Sequence, residues 1–276
     1  MAAAQLAPRR VVHYAFGMRR PSTSGFSLVE LSIVLVILGL LVGGILAGQS
    51  LIRASELRAV GTEYNRWQTA VHAFKDKYFA LPGDMTNAQS FWGSAASCPG
   101  SNLTPSTDAT TCNGDGDGVI EPNPGSGFGN EYFRYWQHLA NAGLIEGSYA
   151  GVRGPTATIQ SVRNFNVPSS RFSNGCWSSI YTDGAGSSNA FVGVPSHRWI
   201  VGRESADGSC RVGIATAEQI WNVDTKIDDG QPATGIVTPY ARQECTNGTG
   251  SGDMNATYDL DDTTNTGCSF FIRARY

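Results

Sequence analysis

The stretch Gly25-Phe26-Ser27-Leu28-Val29-Glu30 sets a carboxylate just behind the first aromatic residue of an apolar run. If the backbone is cut after Gly25, Phe26 becomes a free amine at the head of that run. The Glu30 carboxylate of a neighbouring, axially shifted copy can then pair with the amine, removing two isolated charges from lipid and setting the register between subunits. A carboxylate inside a bilayer costs about 2.5–3.5 kcal/mol even on the lenient insertion scale, so Glu30 reads as functional. A second group lies in Asn113-Gly-Asp115-Gly-Asp117-Gly118-Val119-Ile120-Glu121. Asn113, Asp115 and Asp117 fall at positions 1, 3 and 5 of a calcium loop and Gly118 at position 6, so alternate oxygens can converge on one cation. Position 12 is Pro124 rather than Glu. Glu121, Asn123 or Glu131 would have to supply the missing oxygens, and the competing reading is a pair of Asp-Gly turns with no ion.

The third group is the cysteines: Cys98, Cys112, Cys176, Cys210, Cys245 and Cys268, all beyond the apolar run. An even number in an exported segment reads as disulfides, with fifteen connectivities open. The sequential pairs Cys98–Cys112, Cys176–Cys210 and Cys245–Cys268 are favoured, because each closes a Gly/Ser/Thr/Asn-rich segment without a core of its own. No CxxC or HxxxH spacing supports zinc. There is no GxSxG, HExxH, phosphate loop or dinucleotide fingerprint, so no catalytic residue and no organic cofactor is expected.

Composition narrows the partners. The 276 residues carry 20 Lys+Arg against 23 Asp+Glu. With Arg9, Arg10, Arg19 and Arg20 removed at the Gly25 boundary, 16 basic residues face the same 23 acidic ones. That balance argues against a nucleic-acid partner, which needs a basic face. The basic flank ahead of the apolar run keeps the N-terminus cytoplasmic and leaves the rest outside.

These groups need elements to hold them. Phe26–Gly48 is apolar and long enough to cross a hydrocarbon core of ~30 Å at ~1.5 Å per residue. A helix is expected over Phe26–Tyr78. Beyond Gln49 it turns amphipathic, with Leu57, Val60, Tyr64, Trp67, Val71, Phe74 and Tyr78 at steps of three and four, one stripe against a globular domain. Gly39/Gly43 and Gly44/Gly48 form small-xxx-small pairs in the lipid part. Leu81-Pro82-Gly83 stops the helix. Asp84 is expected to cap a helical piece over Met85–Trp92, and Asn130 a helix over Glu131–Ala142. Thr216-Ala-Glu-Gln219 is a capping box opening a helix to about Asp228. Strands are expected at Ala190–Val194, Arg198–Gly202, Arg211–Ala215, Gly235–Val237 and Cys268–Ala274. His72 and His138 read as surface or boundary histidines.

The N-terminal constellation resembles that of type IV pilins and type II secretion pseudopilins: Gly25 before the cut, Phe26 as the new N-terminus and Glu30 as the fifth mature residue. The resemblance covers residues 18–80. It implies cleavage after Gly25 by a prepilin peptidase, which also methylates the Phe26 amine to give N-methylphenylalanine. It also implies an α+β, pilin-like fold, a long N-terminal helix packed on a loop-rich domain with an antiparallel sheet. Pseudopilins that order a loop with calcium add weight to a structural cation at Asn113, Asp115, Asp117 and Glu121.

The expected organisation is a leader over residues 1–25 (with translation read to start at Met18), a transmembrane and filament-core helix over 26–48, its amphipathic half over 49–82, and a globular domain over 83–276. The expected function is a structural subunit of a pilus-like filament, anchored in the inner membrane with its domain in the periplasm, its partners being other copies or related pilins. The alternatives are a periplasmic pseudopilin of a type II secretion system and a membrane-tethered, calcium-dependent binding domain.

Overall fold

The computed structural model describes residues 25–95, 98, 109–121, 131–154, 160–206 and 208–276. They fall into two compact units, one ending at Ser50 and one running from Leu51 to Tyr276. The leader residues up to 24 and the expected cap Asn130, with Asn123 and Pro124, lie outside the described residues.

Helix α1 (Leu28–Tyr78) supplies an apolar segment to the first unit and a spine to the second. In the first unit every residue from Leu28 to Ala47 is exposed. In the second, Leu57, Val60, Tyr64, Trp67, Ala70, Val71 and Phe74 are buried along one stripe. Their three-and-four spacing puts them on a single face.

That face meets a four-stranded sheet in the order β1-β2-β4-β3, where β1 is Cys176–Thr182, β2 Ser196–Gly202, β3 Val237–Tyr240 and β4 Ser269–Arg273. All pairings are antiparallel. Register is tied at Trp177↔Val201, Ile200↔Phe271 and Thr238↔Phe271. Pro239, which has no N–H to give a ladder, sits in the edge strand β3. Tryptophans dominate the interface between helix and sheet. Trp67 meets Trp136 edge-on with ring centroids 5.2 Å apart and Trp177 at 6.4 Å, while Tyr64 meets Trp199 at 5.7 Å. Each such fully buried side chain contributes about 1.5–3 kcal/mol through apolar burial.

Around this core lie α2 (Ala88–Trp92), α3 (Glu131–Asn141), α4 (Ala217–Ile227) and α5 (Arg242–Cys245). Helix α4 opens with the expected box, Thr216 and Gln219 capping one another reciprocally. The three disulfides are Cys98–Cys112, Cys176–Cys210 and Cys245–Cys268.

Several expectations are corrected. Asp84 does not cap α2, which starts at Ala88 after an Asn87 that makes no side-chain cap; its carboxylate is engaged by a loop described below. Ala190–Val194 is not a strand. Its backbone is drawn off elsewhere, the Val192 N–H to Ser251 and the Gly193 N–H to Gly184. Arg211–Ala215 makes only isolated bridges, Val212 with Arg203 and Ala215 with Cys268. Strand β1 (Cys176–Thr182) lies where no strand was expected. His138 is fully buried rather than at the boundary. Its Nδ1 accepts the Gly83 N–H at 3.0 Å and its Nε2 lies 3.0 Å from the Thr111 hydroxyl. Burial, with Arg134 nearby, holds its pKa down at about 3, so the ring stays neutral.

Candidate functional site

The two non-cysteine sites expected from the sequence are built differently. At the N-terminus Gly25 and Phe26 are exposed, Phe26 at 84%. Ser27 stands at the N-cap of α1: its carbonyl accepts the Leu31 N–H at 3.1 Å. Its hydroxyl accepts the Glu30 N–H at 3.2 Å, and Glu30 Oε2 accepts the Ser27 N–H at 2.9 Å. This is a capping box, whose local signal is the Ser-x-x-Glu spacing of Ser27 and Glu30. Glu30 thus has partners within its own chain, two of the orphan groups at the helix start being satisfied without water. A Cβ placed on Gly39, Gly43, Gly44 or Gly48 would meet nothing within 4 Å, so no contact among the described residues requires these residues to be small.

The acidic loop is held from outside itself. Asp84, in the turn after α1, accepts the Gly116 N–H on Oδ1 at 2.6 Å and the Gly118 N–H on Oδ2 at 3.0 Å. Glu131, opening α3, accepts the Asp115 N–H and the Glu121 N–H, both at 3.3 Å. Within the loop Asp115 accepts from the Asp117 N–H and Asp117 from the Val119 N–H. The backbone approaches so closely that a Cβ on Gly114 would lie 2.4 Å from the Asp84 backbone. Gly83, at φ +91°, has a comparable role, since a Cβ there would meet the Glu131 carbonyl oxygen at 2.7 Å.

One oxygen from each of Asp84, Asp115 and Glu131 lies within 4.8 Å of the others, and the same holds for Asp115, Asp117 and Glu121. Asp115 belongs to both groups. Asp84 and Glu131 are buried, at 5% and 2% exposure. Burial, reinforced by the neighbouring carboxylates, pushes Asp84 up to about 6 and Glu131 up to about 8 against the pull of their backbone donors. Arg134 supplies a positive charge near Glu131 and donates to the Asn113 carbonyl at 3.0 Å. Crowded oxygen donors of this kind suit a hard cation such as calcium. Asn113 is placed differently from the aspartates. Its Oδ1 accepts the Gln89 N–H at 2.9 Å, tying the loop to α2. The sequence pattern missed Asp84, for which no local signal exists.

A further acidic grouping, Asp224, Asp228 and Asp229, closes the end of α4. Asp224 accepts from the Tyr258 hydroxyl at 2.9 Å, Asp228 from the Ile236 N–H, and Asp229 from Gln231 and Thr234. These carboxylates fasten the α4–β3 turn.

Residues 20–46 match the prokaryotic N-terminal methylation motif. The chain carries a motif typical of type IV pilins and pseudopilins. The match spans the Gly25–Phe26 boundary, Glu30 and most of the apolar half of α1. No curated protein and no solved structure matches the chain. The long helix packed on an antiparallel sheet is a pilin-like, α+β arrangement. Proteins with this motif are generally structural rather than enzymatic. The apolar N-terminal helix and the disulfides fit membrane anchoring with the domain outside the cytoplasm.

Proposed function

We propose that this protein is the structural subunit of a type IV pilus-like filament, cut after Gly25 by a prepilin peptidase and assembled through its N-terminal helix. The observation that carries the reading is the methylation motif over residues 20–46, with Glu30 four residues past Phe26 and an exposed apolar helix behind it. The organisation is a leader over 1–25, a membrane and filament-core helix over 26–48, its amphipathic half over 49–82 and a periplasmic domain over 83–276. Released from the leader, the Phe26 amine of one subunit pairs with Glu30 of another. Gly39, Gly43, Gly44 and Gly48 let neighbouring helix backbones approach. Intact mass and the N-terminal peptide of the protein from membranes test this. A chain beginning at N-methylated Phe26 is expected; an uncut chain in cells with active prepilin peptidase overturns it.

The acidic loop favours a second reading, a pseudopilin of a type II secretion system, with a structural calcium held by Asp115 and its neighbours Asp84, Asp117, Glu121 and Glu131. Bound there, a calcium ion would supply charge neutralisation to the two buried carboxylates. Long surface filaments seen by electron microscopy decide for the pilus. Their absence from a strain that needs this protein to secrete folded enzymes decides for the pseudopilus.

A further inference from the structure

The segment between Cys245 and Cys268 carries an acceptor pattern unrelated to filament assembly. We propose that Asn255 is a site of N-linked glycosylation. Asn255-Ala256-Thr257 is the acceptor tripeptide, Asn-x-Thr with x not proline. Met254 and Asn255 stand in a turn closed by the Ala256 N–H on the Asp253 carbonyl at 3.3 Å. Asn255 and Thr257 are exposed while Ala256 and Tyr258 are buried at 2% and 6%. The acceptor amide thus stands in an exposed turn, with the recognition hydroxyl on the exposed Thr257. Ala256 packs with Phe191 and Ala233, and Tyr258 reaches Asp224, so the face is fixed from beneath. The Asn255 side chain has no hydrogen-bond partner among the described residues, and its own N–H is held by Asp253 Oδ1 at 3.2 Å.

A second tripeptide, Asn247-Gly248-Thr249, shows the contrast. Asn247 Nδ2 donates to the Thr257 hydroxyl oxygen at 2.8 Å and its Oδ1 accepts the Thr257 N–H at 2.9 Å. The Thr249 hydroxyl is in turn spent on Asp253. In that tripeptide the acceptor amide itself is engaged, holding the Asn255 segment in place, whereas in the Asn255 tripeptide the Thr257 hydroxyl is engaged and, among the described residues, the Asn255 amide is not. A third tripeptide, Asn102-Leu103-Thr104, lies outside the described residues.

The reaction needs a donor and an enzyme from the host: a saccharide carried on a polyprenyl pyrophosphate and its oligosaccharyltransferase outside the cytoplasm. Asn255 Nδ2 attacks the anomeric carbon, forming the C1–N bond. The C1–O bond breaks with its electron pair going to the pyrophosphate, which leaves on the lipid, and the amide nitrogen loses one proton. No oxidant or reductant is required. The site needs only that the domain be exported, not that it polymerise, so its outcome is independent of the filament reading.

The test is peptide mapping by mass spectrometry on the protein purified from the cells that make it. The peptide containing Asn255 is expected to carry an added saccharide mass with a sugar fragment ladder. Asn255→Gln removes that mass from the intact protein, and Thr257→Ser retains it. Asn247→Gln leaves the mass on Asn255. An Asn255 peptide found only in unmodified form overturns the proposal, as does a saccharide attached at Asn247 instead. The wild-type peptide mass is read directly, so the result does not depend on whether a variant folds.

Discussion

Ser27 and Glu30 hold each other across the first turn of α1, the Ser27 N–H on the Glu30 carboxylate at 2.9 Å and the Glu30 N–H on the Ser27 hydroxyl at 3.2 Å. In the proposed assembly the Glu30 carboxylate therefore has hydrogen-bond donors of its own before any neighbour arrives. The proposed pairing with another subunit's amine would then compete with an existing cap rather than rescue a bare charge.

The two roles of Glu30 separate by mutation. Glu30→Ala is expected to leave membrane insertion intact and to reduce assembly strongly. Ser27→Ala removes one half of the cap, at about 1 kcal/mol, and keeps the carboxylate, so assembly is expected to persist. Quantifying sheared filaments against membrane-fraction protein reads both. Normal filaments from Glu30→Ala would refute the pairing role, and equal loss in the two variants would reduce Glu30 to a helix cap.

Glu63 lies off the apolar stripe yet clamps the helix to the sheet. Its Oε2 accepts the Trp177 Nε1–H at 2.7 Å and the Ser170 hydroxyl at 2.8 Å, and its Oε1 accepts the Arg171 N–H at 2.9 Å. Trp177 is fully buried. Glu63→Ala leaves that indole N–H without its acceptor and is expected to cost about 1–3 kcal/mol. Glu63→Gln should cost less, because the amide oxygen can still accept. Chemical denaturation of the domain measures both, and a Glu63→Ala midpoint equal to wild type contradicts the clamp.

The Cys245–Cys268 bridge closes a segment with no strand or helix between its ends, anchored next to β4. Replacing both cysteines by serine is expected to cost about 3 kcal/mol through the freed entropy of a loop this long. The loss should appear as a lower denaturation midpoint and as proteolysis within residues 246–267 while the sheet stays intact. Cleavage distributed evenly over the domain would argue that the bridge supports the whole core.

What could be read from the chain was whatever depended on near neighbours. The three-and-four spacing from Leu57 to Phe74 is a local pattern, and it is the buried stripe of α1. Thr216 and Gln219 find each other within one turn. Strand β1 was illegible because Ser178 and Ser179 look like loop residues. They are buried in the sheet, where Ser178 accepts the Cys210 N–H, a partner 32 residues away. The acidic loop divides the same way. Asp115, Asp117 and Glu121 are gathered by one short segment and Glu131 was among the candidate donors, whereas Asp84 comes from the turn after α1 and has no local signal. His138 reads as a surface residue until Gly83 and Thr111 are seen to satisfy its two nitrogens. Only the tertiary fold supplies such partners.

The raised pKa values at this loop give a pH dependence of defined sign. Asp84 and Glu131 have ordinary values of 3.8 and 4.5 and folded values of about 6 and about 8. The folded state therefore binds protons more readily than the unfolded one, and stability is present in acid and falls as pH rises from about 4 towards 8. Asp224, pushed up to about 7 by burial, adds to the same trend. The metal-free domain is expected to have a lower Tm at pH 8 than at pH 5. Calcium, binding the ionised carboxylates, should raise Tm at pH 8 and have little effect at pH 5. Asp115, shared by both oxygen groups, is the residue on which this depends. Asp115→Asn should abolish the calcium-induced rise, while Asp229→Asn, in the separate grouping at α4, should leave it. Differential scanning calorimetry with calcium and with a chelator measures the four conditions. A Tm at pH 8 that calcium does not move would show that the loop is held by its backbone donors alone, and a rise that survives Asp115→Asn would place the ion elsewhere.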